Sequence, residues 1–297
     1  MYKTIIYIAN RLPLNTFLFI FIKKINLYKF KNLYLDLKIN GLFKLKVDNK
    51  IFIKLYGNND NISNHLFWKG IDYGFEPEVM WIYKIISKKV NYILDVGSNT
   101  GIYSLVSKSI NQNSQVYAFE PVKRTYNKLK RNININKFNI NTFEIALSDK
   151  DGENTIFDVP NENQTSSSLS PLKLKKWKGY KGEIIEYKIK TMRLDTFVLN
   201  NKIKNIEFIK VDIECHEPEF IKGGINSIEK FKPIIIIEIL YNKIGRLVQS
   251  EMSNDWEFYH LSKTRKLVRS VDLRRIDGEW NYLLIHKTKK TILKGLI

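Results

Sequence analysis

The chain has 297 residues, which suits one large domain or a core domain with additions, and 44% of them are hydrophobic, enough for a sizeable buried core. One cysteine, Cys215, excludes an internal disulfide and a cysteine-built metal site. The formal net charge is +19, from 49 Lys and Arg against 30 Asp and Glu. Such a surface attracts nucleic acid, acidic lipid or acidic glycan, but lysines spread along a chain rich in Lys, Asn and Ile read first as solvated surface. No aromatic-studded basic motif marks a nucleic-acid module, so nucleic acid is not the expected partner.

In chain order, the first feature is FLFIFI (17–22), followed by Lys23 and Lys24. It is far shorter than the roughly 18 apolar residues of a membrane span, and no small-residue cleavage site follows it. It reads as a packed helix, with a peripheral membrane anchor beside basic residues as the alternative. Residues 27–56 read as strands: Phe43, Leu45 and Val47 alternate with lysines, Asp48-Asn49 makes a turn, and Ile51, Ile53 and Leu55 resume the alternation. A polar stretch, 57–61, then breaks the chain. Residues 1–70 are expected to form an N-terminal extension around this hairpin.

From residue 77 the pattern changes to helices alternating with strands. The expected order is helix 77–88, strand 92–96, helix 102–110, strand 116–120, helix 122–136 and strand 141–147, then strand 206–212, helix 218–231, strand 233–239 and helix 241–252. Two more strands fall at 256–262 and 281–287. Alternation of this kind implies right-handed crossovers and a mostly parallel sheet covered on both faces. Ile234–Ile237 is the unbroken apolar run of a central strand. Residues 151–200 read as an insertion, with a polar loop NENQTSSSLSP (161–171) and a strand that enters a helix at Asp195.

The stretch YILDVGSNTGIYS (92–104) carries the chemistry. A strand runs into Asp95, and Gly97 and Gly101 shape the turn that follows, where a doubly wound sheet binds its ligands. Glu120 ends the next strand, 25 residues after Asp95, where an acid can hold two ribose hydroxyls. The middle glycine of a dinucleotide fingerprint is absent: Asn99 stands between Gly97 and Gly101. A carboxylate beside a pyrophosphate repels it, whereas one beside a methionine ammonium attracts it. The loop therefore suits S-adenosylmethionine, with Asp95, Gly97, Asn99 and Gly101 around the methionine end and Glu120 at the ribose. Ser148 and Asp149, just past the third strand, are placed for the adenine. Tyr103 and Trp81 either shape the pocket or pack in the core.

With these pieces in order, the chain resembles the FkbM family of S-adenosylmethionine-dependent methyltransferases. The matching pieces are GFEPEVMW (74–81), ILDVGSNTGIYSL (93–105), VYAFEP (116–121), ALSDKDGE (146–153), SSSL (166–169), LDTF (194–197), FIKVDIECHEPEFIKG (208–223) and KPIIIIEI (232–239). The resemblance implies a Rossmann-like class I methyltransferase domain over 71–290, mostly parallel with an antiparallel C-terminal strand, and a short tail at 291–297. It also implies transfer to a sugar hydroxyl of a surface polysaccharide or glycolipid precursor, in the cytoplasm or peripherally at a membrane. The alternatives are a methyltransferase of a small natural product or lipid, and a degenerate protein that binds cofactor or nucleic acid without turnover. One departure is Cys215, where the family usually has glycine.

The richest cluster of ionisable side chains is DIECHEPE (212–219). A hydroxyl acceptor has to lose a proton, and a placed base helps. His216 is the expected base, with Asp212 or Glu214 orienting it or the acceptor; the competing reading is that His216 and the acids merely start the following helix. Asp212, Glu214 and Glu238 offer oxygen ligands for a divalent cation, but nothing in their spacing fixes such a site, and no metal is expected.

Overall fold

Period-two apolar runs need a partner surface, and 3.6-period runs need a sheet to cover. In the computed structural model these demands meet in a sheet of eight strands between two apolar helical layers. The structure describes residues 9–10, 15–25, 36–158 and 184–296. The polar loop 161–171, the SSSL piece and the start of the expected strand region, 27–35, lie outside the described residues.

The N-terminal layer holds helix α1 (Thr16–Lys24) and the hairpin of β1 (Asn40–Lys46) and β2 (Phe52–Asn58). Helices α2 (Asn61–Lys69) and α3 (Ile71–Gly74) complete it. The hairpin pairs Leu45 with Ile53 and Phe43 with Leu55 on its buried face, and Lys44 with Lys54 on its outer face. Where the sequence shows only a polar break, the chain instead starts α2: Asp60 accepts the Ser63 N–H at 2.8 Å and caps the helix.

The core continues with α4 (Pro77–Ser87), β3 (Tyr92–Val96), α5 (Ile102–Ile110), β4 (Gln115–Phe119), α6 (Lys123–Asn136) and β5 (Asn141–Phe143). After the side sheet of β6 (Ala146–Leu147), β7 (Gly152–Asp158) and β8 (Ile185–Met192) come α7 (Leu194–Asn200), β9 (Phe208–Val211), α8 (Glu217–Phe231), β10 (Ile234–Glu238) and α9 (Asn242–Glu251). The chain ends in β11 (Trp256–Leu261), β12 (Leu267–Ser270), β13 (Asn281–His286) and a short 3-10 helix.

The strand order of the main sheet is β12-β11-β13-β10-β9-β3-β4-β5. The five strands from β10 to β5 are parallel. Strand β13 runs antiparallel between β10 and β11, and β12 is an antiparallel edge. The antiparallel part thus involves more than the one C-terminal strand expected. The order reverses between β3 and β9, so the crevice at their carboxyl ends is the ligand site of such a sheet.

The expected strand 141–147 is two strands. It bends after Phe143, and Ala146–Leu147 leaves the main sheet to pair with β8. Strand β7, absent from the sequence reading, is the antiparallel partner of β8.

On one face of the sheet, Ile93, Val116, Ala118, Phe208, Ile234 and Ile236 pack with α4, α5, α6 and the N-terminal layer in one apolar cluster. On the other, α7, α8 and α9 cover Leu94, Ile209 and Ile235. The free edge of β2 is closed by α6. Asn136 accepts the Lys54 N–H and donates to the Lys54 carbonyl, both at 2.7 Å, and Asn132 accepts the Tyr56 N–H at 3.0 Å. Side-chain amides there replace a missing strand.

Candidate active site

Side chains alternate along a strand. The face that carries Ile93, Val116, Phe208 and Ile236 therefore also carries Asp95, Glu120, Lys210, Asp212 and Glu238 at or beyond the strand ends. All five line one cavity of about 390 Å³. Gly97, Asn99, Glu214 and His216 line it as well, as do Glu76 and Tyr103. Gly101, Ser148, Asp149 and Trp81 do not face it.

The loop after β3 is built by backbone contacts. Gly97 N–H and Ser98 N–H both donate to the Phe119 carbonyl, at 3.0 and 2.9 Å, and Asp212 N–H donates to the Val96 carbonyl at 3.0 Å. Gly97 has φ +81°, and a Cβ there would lie 2.0 Å from the Asp212 carbonyl oxygen. Only glycine fits. Gly101, with φ +88°, starts α5 against Leu129 and so serves the loop rather than the cavity.

Asp95 is buried and accepts the N–H and hydroxyl of Ser104, at 3.0 and 2.5 Å. It pins α5 to the loop. Burial raises its pKa to about 6 against the pull of Ser104 and Lys210. Glu120 accepts the Asn99 N–H and the Val122 N–H, both at 3.0 Å, so it holds the loop from the next strand while facing the cavity. Burial pushes its pKa up to about 7 despite those two donors.

These residues fit S-adenosylmethionine. The volume lies within the usual range for small-ligand sites. The Gly97 cradle leaves bare backbone at the switch point. Glu120 presents a carboxylate to the cavity one strand away from that loop, and Phe119, Ile145 and Leu147 give apolar wall.

In the same cavity a cation sits among acids. Lys210 is 1% exposed; its Nζ lies 3.4 Å from Asp212 Oδ2 and 4.0 Å from Glu76 Oε2, and 5.2 Å above the Tyr103 ring. Burial would lower the pKa of this ammonium, but Asp212, Glu76, Glu238 and Asp95 outweigh it and hold it above the ordinary value. Glu76, at φ +40°, accepts the Tyr103 hydroxyl at 2.5 Å. Burial raises the pKa of Glu76 and Glu238, and for Glu238 the neighbouring Asp212 and Glu76 add to it. Among the described residues, no three His, Cys, Asp or Glu side chains gather as a metal site.

The loop between β9 and α8 takes two left-handed residues in succession, Glu214 (φ +54°) and Cys215 (φ +76°). Cys215 thus holds the conformation that glycine adopts without strain. Buried Glu217 braces the loop by accepting the N–H groups of Ile213 and Cys215, at 3.3 and 3.2 Å. His216 stands at the N-cap position of α8, with Nε2 2.8 Å from Ser148 Oγ and Nδ1 3.4 Å from Glu219 Oε2. The structure therefore ties Ser148 to His216 rather than leaving it free for a ring. Sequence reasoning missed Lys210 and Glu76, though a lysine inside the apolar strand FIKV and an acid just before Pro77 were both visible signals.

Five parallel strands, a reversal point with a glycine-bearing loop, an acid on the next strand and a reversed β13 define a Rossmann-like fold of the class I methyltransferase type. The FkbM methyltransferase domain matches residues 95–277, and the chain belongs to that family. It is 24% identical over 172 residues to hexuronic acid methyltransferase AglP of Haloferax volcanii, which covers 58% of this chain and 65% of that protein. It is 25% identical over 159 residues to 2-O-methyltransferase NoeI of Sinorhizobium fredii, covering 50% of this chain and 63% of that protein. The chain thus spans somewhat less than two thirds of either relative. Among solved structures, an FkbM methyltransferase from Methylobacillus flagellatus overlays with a TM-score of 0.41 and 16% identity, over 66% of this chain and 43% of that one. An O-methyltransferase from Bacillus cereus in complex with SAH gives 0.40 and 10%, over 71% and 80%.

Proposed function

We propose that this chain methylates a sugar hydroxyl with S-adenosylmethionine as methyl donor, on a precursor of a surface polysaccharide or glycolipid. The observation that carries this reading is one cavity lined by a glycine loop and Glu120 together with Asp212, Glu238 and Lys210. Family membership supports the donor, and the hexuronic acid named for AglP supports a sugar as acceptor.

When bound, S-adenosylmethionine supplies an electrophilic methyl group on sulfur. The chain's own residues do the rest. Asp95 and Glu120 hold the loop, and Glu120 receives the ribose hydroxyls. Tyr103, Phe119 and Ile102 keep water from the centre of the cavity. Asp212 and Glu238, on adjacent strands, face the acceptor end and accept its hydrogen bonds. Glu238 takes the proton from the acceptor hydroxyl in its ionised form, which the Lys210 ammonium favours against the burial and neighbouring acids that raise its pKa. Lys210 remains charged and steadies the acids around it. His216, engaged with Ser148, shapes the wall; as a base it would first have to leave that contact.

The test is calorimetric titration with S-adenosylhomocysteine of wild type, Glu120→Ala and Glu120→Gln, followed by a screen of nucleotide-linked and lipid-linked sugars. Micromolar binding that both variants weaken, with the Gln variant folded as wild type, is the expected result. A folded wild type that binds nothing overturns the reading.

A further inference from the structure

Helix α1 turns its apolar side outward. Phe17 is 85% exposed, Phe21 58% and Ile25 53%, with Leu18 and Ile20 about 40% exposed on the same turn set. At 100° per residue, positions 17, 18, 20, 21, 24 and 25 form one continuous face, and its polar member is Lys24. The opposite side, Thr16 and Phe19, is buried against the N-terminal layer. A soluble protein left with an apolar face of this kind has a partner for it.

Charge names the partner. Residues 1–58 hold eleven Lys and Arg against two acids, Asp36 and Asp48, so this fifth of the chain carries nearly half of the net charge of +19. The lysines are dispersed along the chain, but the acids are missing here. The outer face of the adjoining hairpin continues the pattern, with Lys44, Lys46 and Lys54 exposed beside Leu42 and Phe52. Apolar side chains ringed by cations fit the boundary of an anionic bilayer, where rings enter the acyl region and ammonium groups meet phosphates. The nine residues of α1 suit lying on a surface, and among the described residues no helix is long and apolar enough to cross a membrane.

We propose that α1, helped by the basic hairpin, docks this protein on an anionic lipid membrane. The placement has a use. Lys23 Nζ donates to the Phe67 carbonyl, and the Phe19 ring packs 5.5 Å from Trp68, so α1 is fastened to α2. Asn61, Ile62 and His65 of α2 line the cavity. A bilayer held by α1 lies one helix away from the site, where a sugar on a lipid carrier would be presented. The docking does not depend on the methyltransferase reading.

The experiment is co-sedimentation of the full chain with phosphatidylcholine vesicles, with and without phosphatidylglycerol, at low and high salt. Wild type is compared with Phe17→Glu/Phe21→Glu and with Phe17→Leu/Phe21→Leu, each checked for an unchanged melting temperature. The expected result is partition onto the anionic vesicles that weakens with salt, falls about tenfold or more in the Glu pair and survives in the Leu pair. Failure of wild type to sediment with anionic vesicles overturns the proposal, as does equal binding by the Glu pair. A dimer that the Glu pair converts to monomer, without vesicle binding, overturns it in favour of a second copy. A large drop in melting temperature in the Glu pair, with wild type not sedimenting, assigns the face to the chain's own packing and overturns it too.

Discussion

Lys210 is the residue on which the acidic part of the cavity depends. A buried ammonium is costly unless acids surround it, and here Asp212, Glu76, Glu238 and Asp95 do so. Lys210→Met removes that cation and leaves the acids facing one another. It is expected to cost about 3 to 5 kcal/mol in urea unfolding at neutral pH, with the loss shrinking at lower pH as the carboxyls take up protons. The division of labour between Glu238 and His216 is settled by kinetics once an acceptor is found. Glu238→Gln should lower kcat by about 10²-fold or more with S-adenosylhomocysteine binding retained, whereas His216→Ala should cost about tenfold or less. The reverse order would return the base role to His216. At this scale the sequence is legible where spacing alone sets position: Asp95, Gly97, Glu120, Asp212 and His216 all reach the cavity wall. It is illegible where a partner arrives from far along the chain, as Glu76 does, or where a serine is claimed by a histidine 68 residues away.

Between β9 and α8 the chain spends two residues in the left-handed region, and only one side chain there looks out of place. Cys215 stands at φ +76° and is buried, so Cys215→Gly relieves backbone strain while adding freedom to the unfolded chain. The expected net gain is about 0.5 to 1 kcal/mol in equilibrium unfolding, and a loss instead would show that the thiol's packing outweighs the strain. Most elements of the core are readable because period and punctuation agree, as in the Pro-started α4 and the Ile-rich β10. Three are not. NTFEIAL looks like one strand because its alternation runs on through the bend at Glu144. GENTIFD has the composition of a loop, and β8 across from it makes it a strand. NISNHLFWK has a weak apolar stripe, and its cap at Asp60 and tertiary packing carry it into a helix.

Across the whole molecule, the site is a store of buried acids, and this gives the stability a pH signature. Burial raises the pKa of Asp95 to about 6, of Glu120 to about 7 and of Glu217 to about 8. In the unfolded chain these groups ionise near pH 4 to 5. Below that range both states hold the protons, and the stability is fully present. As pH rises, the unfolded state gives up protons first, so stability falls until the folded groups ionise, up to about pH 8. For Glu217 the penalty is on the order of 5 kcal/mol. Melting temperatures measured from pH 5 to 8.5 should therefore decline more steeply in wild type than in Glu217→Gln, and parallel curves would show that Glu217 does not titrate in this window. Ligand binding at the same site should flatten or steepen the curve according to which acids it pairs.

The small sheet of β6, β8 and β7 hangs beside the main sheet and yet supplies Ala146, Leu147, Ile156 and Ile189 to the cavity wall. It is joined to the core through short links after Phe143 and before Leu194. A wall made this way is an interchangeable part. Its residues can be exchanged while the strands that lead to Asp95, Glu120 and Asp212 keep their register. Change in the shape of this cavity should therefore run through the side sheet first, with the main sheet left as it stands.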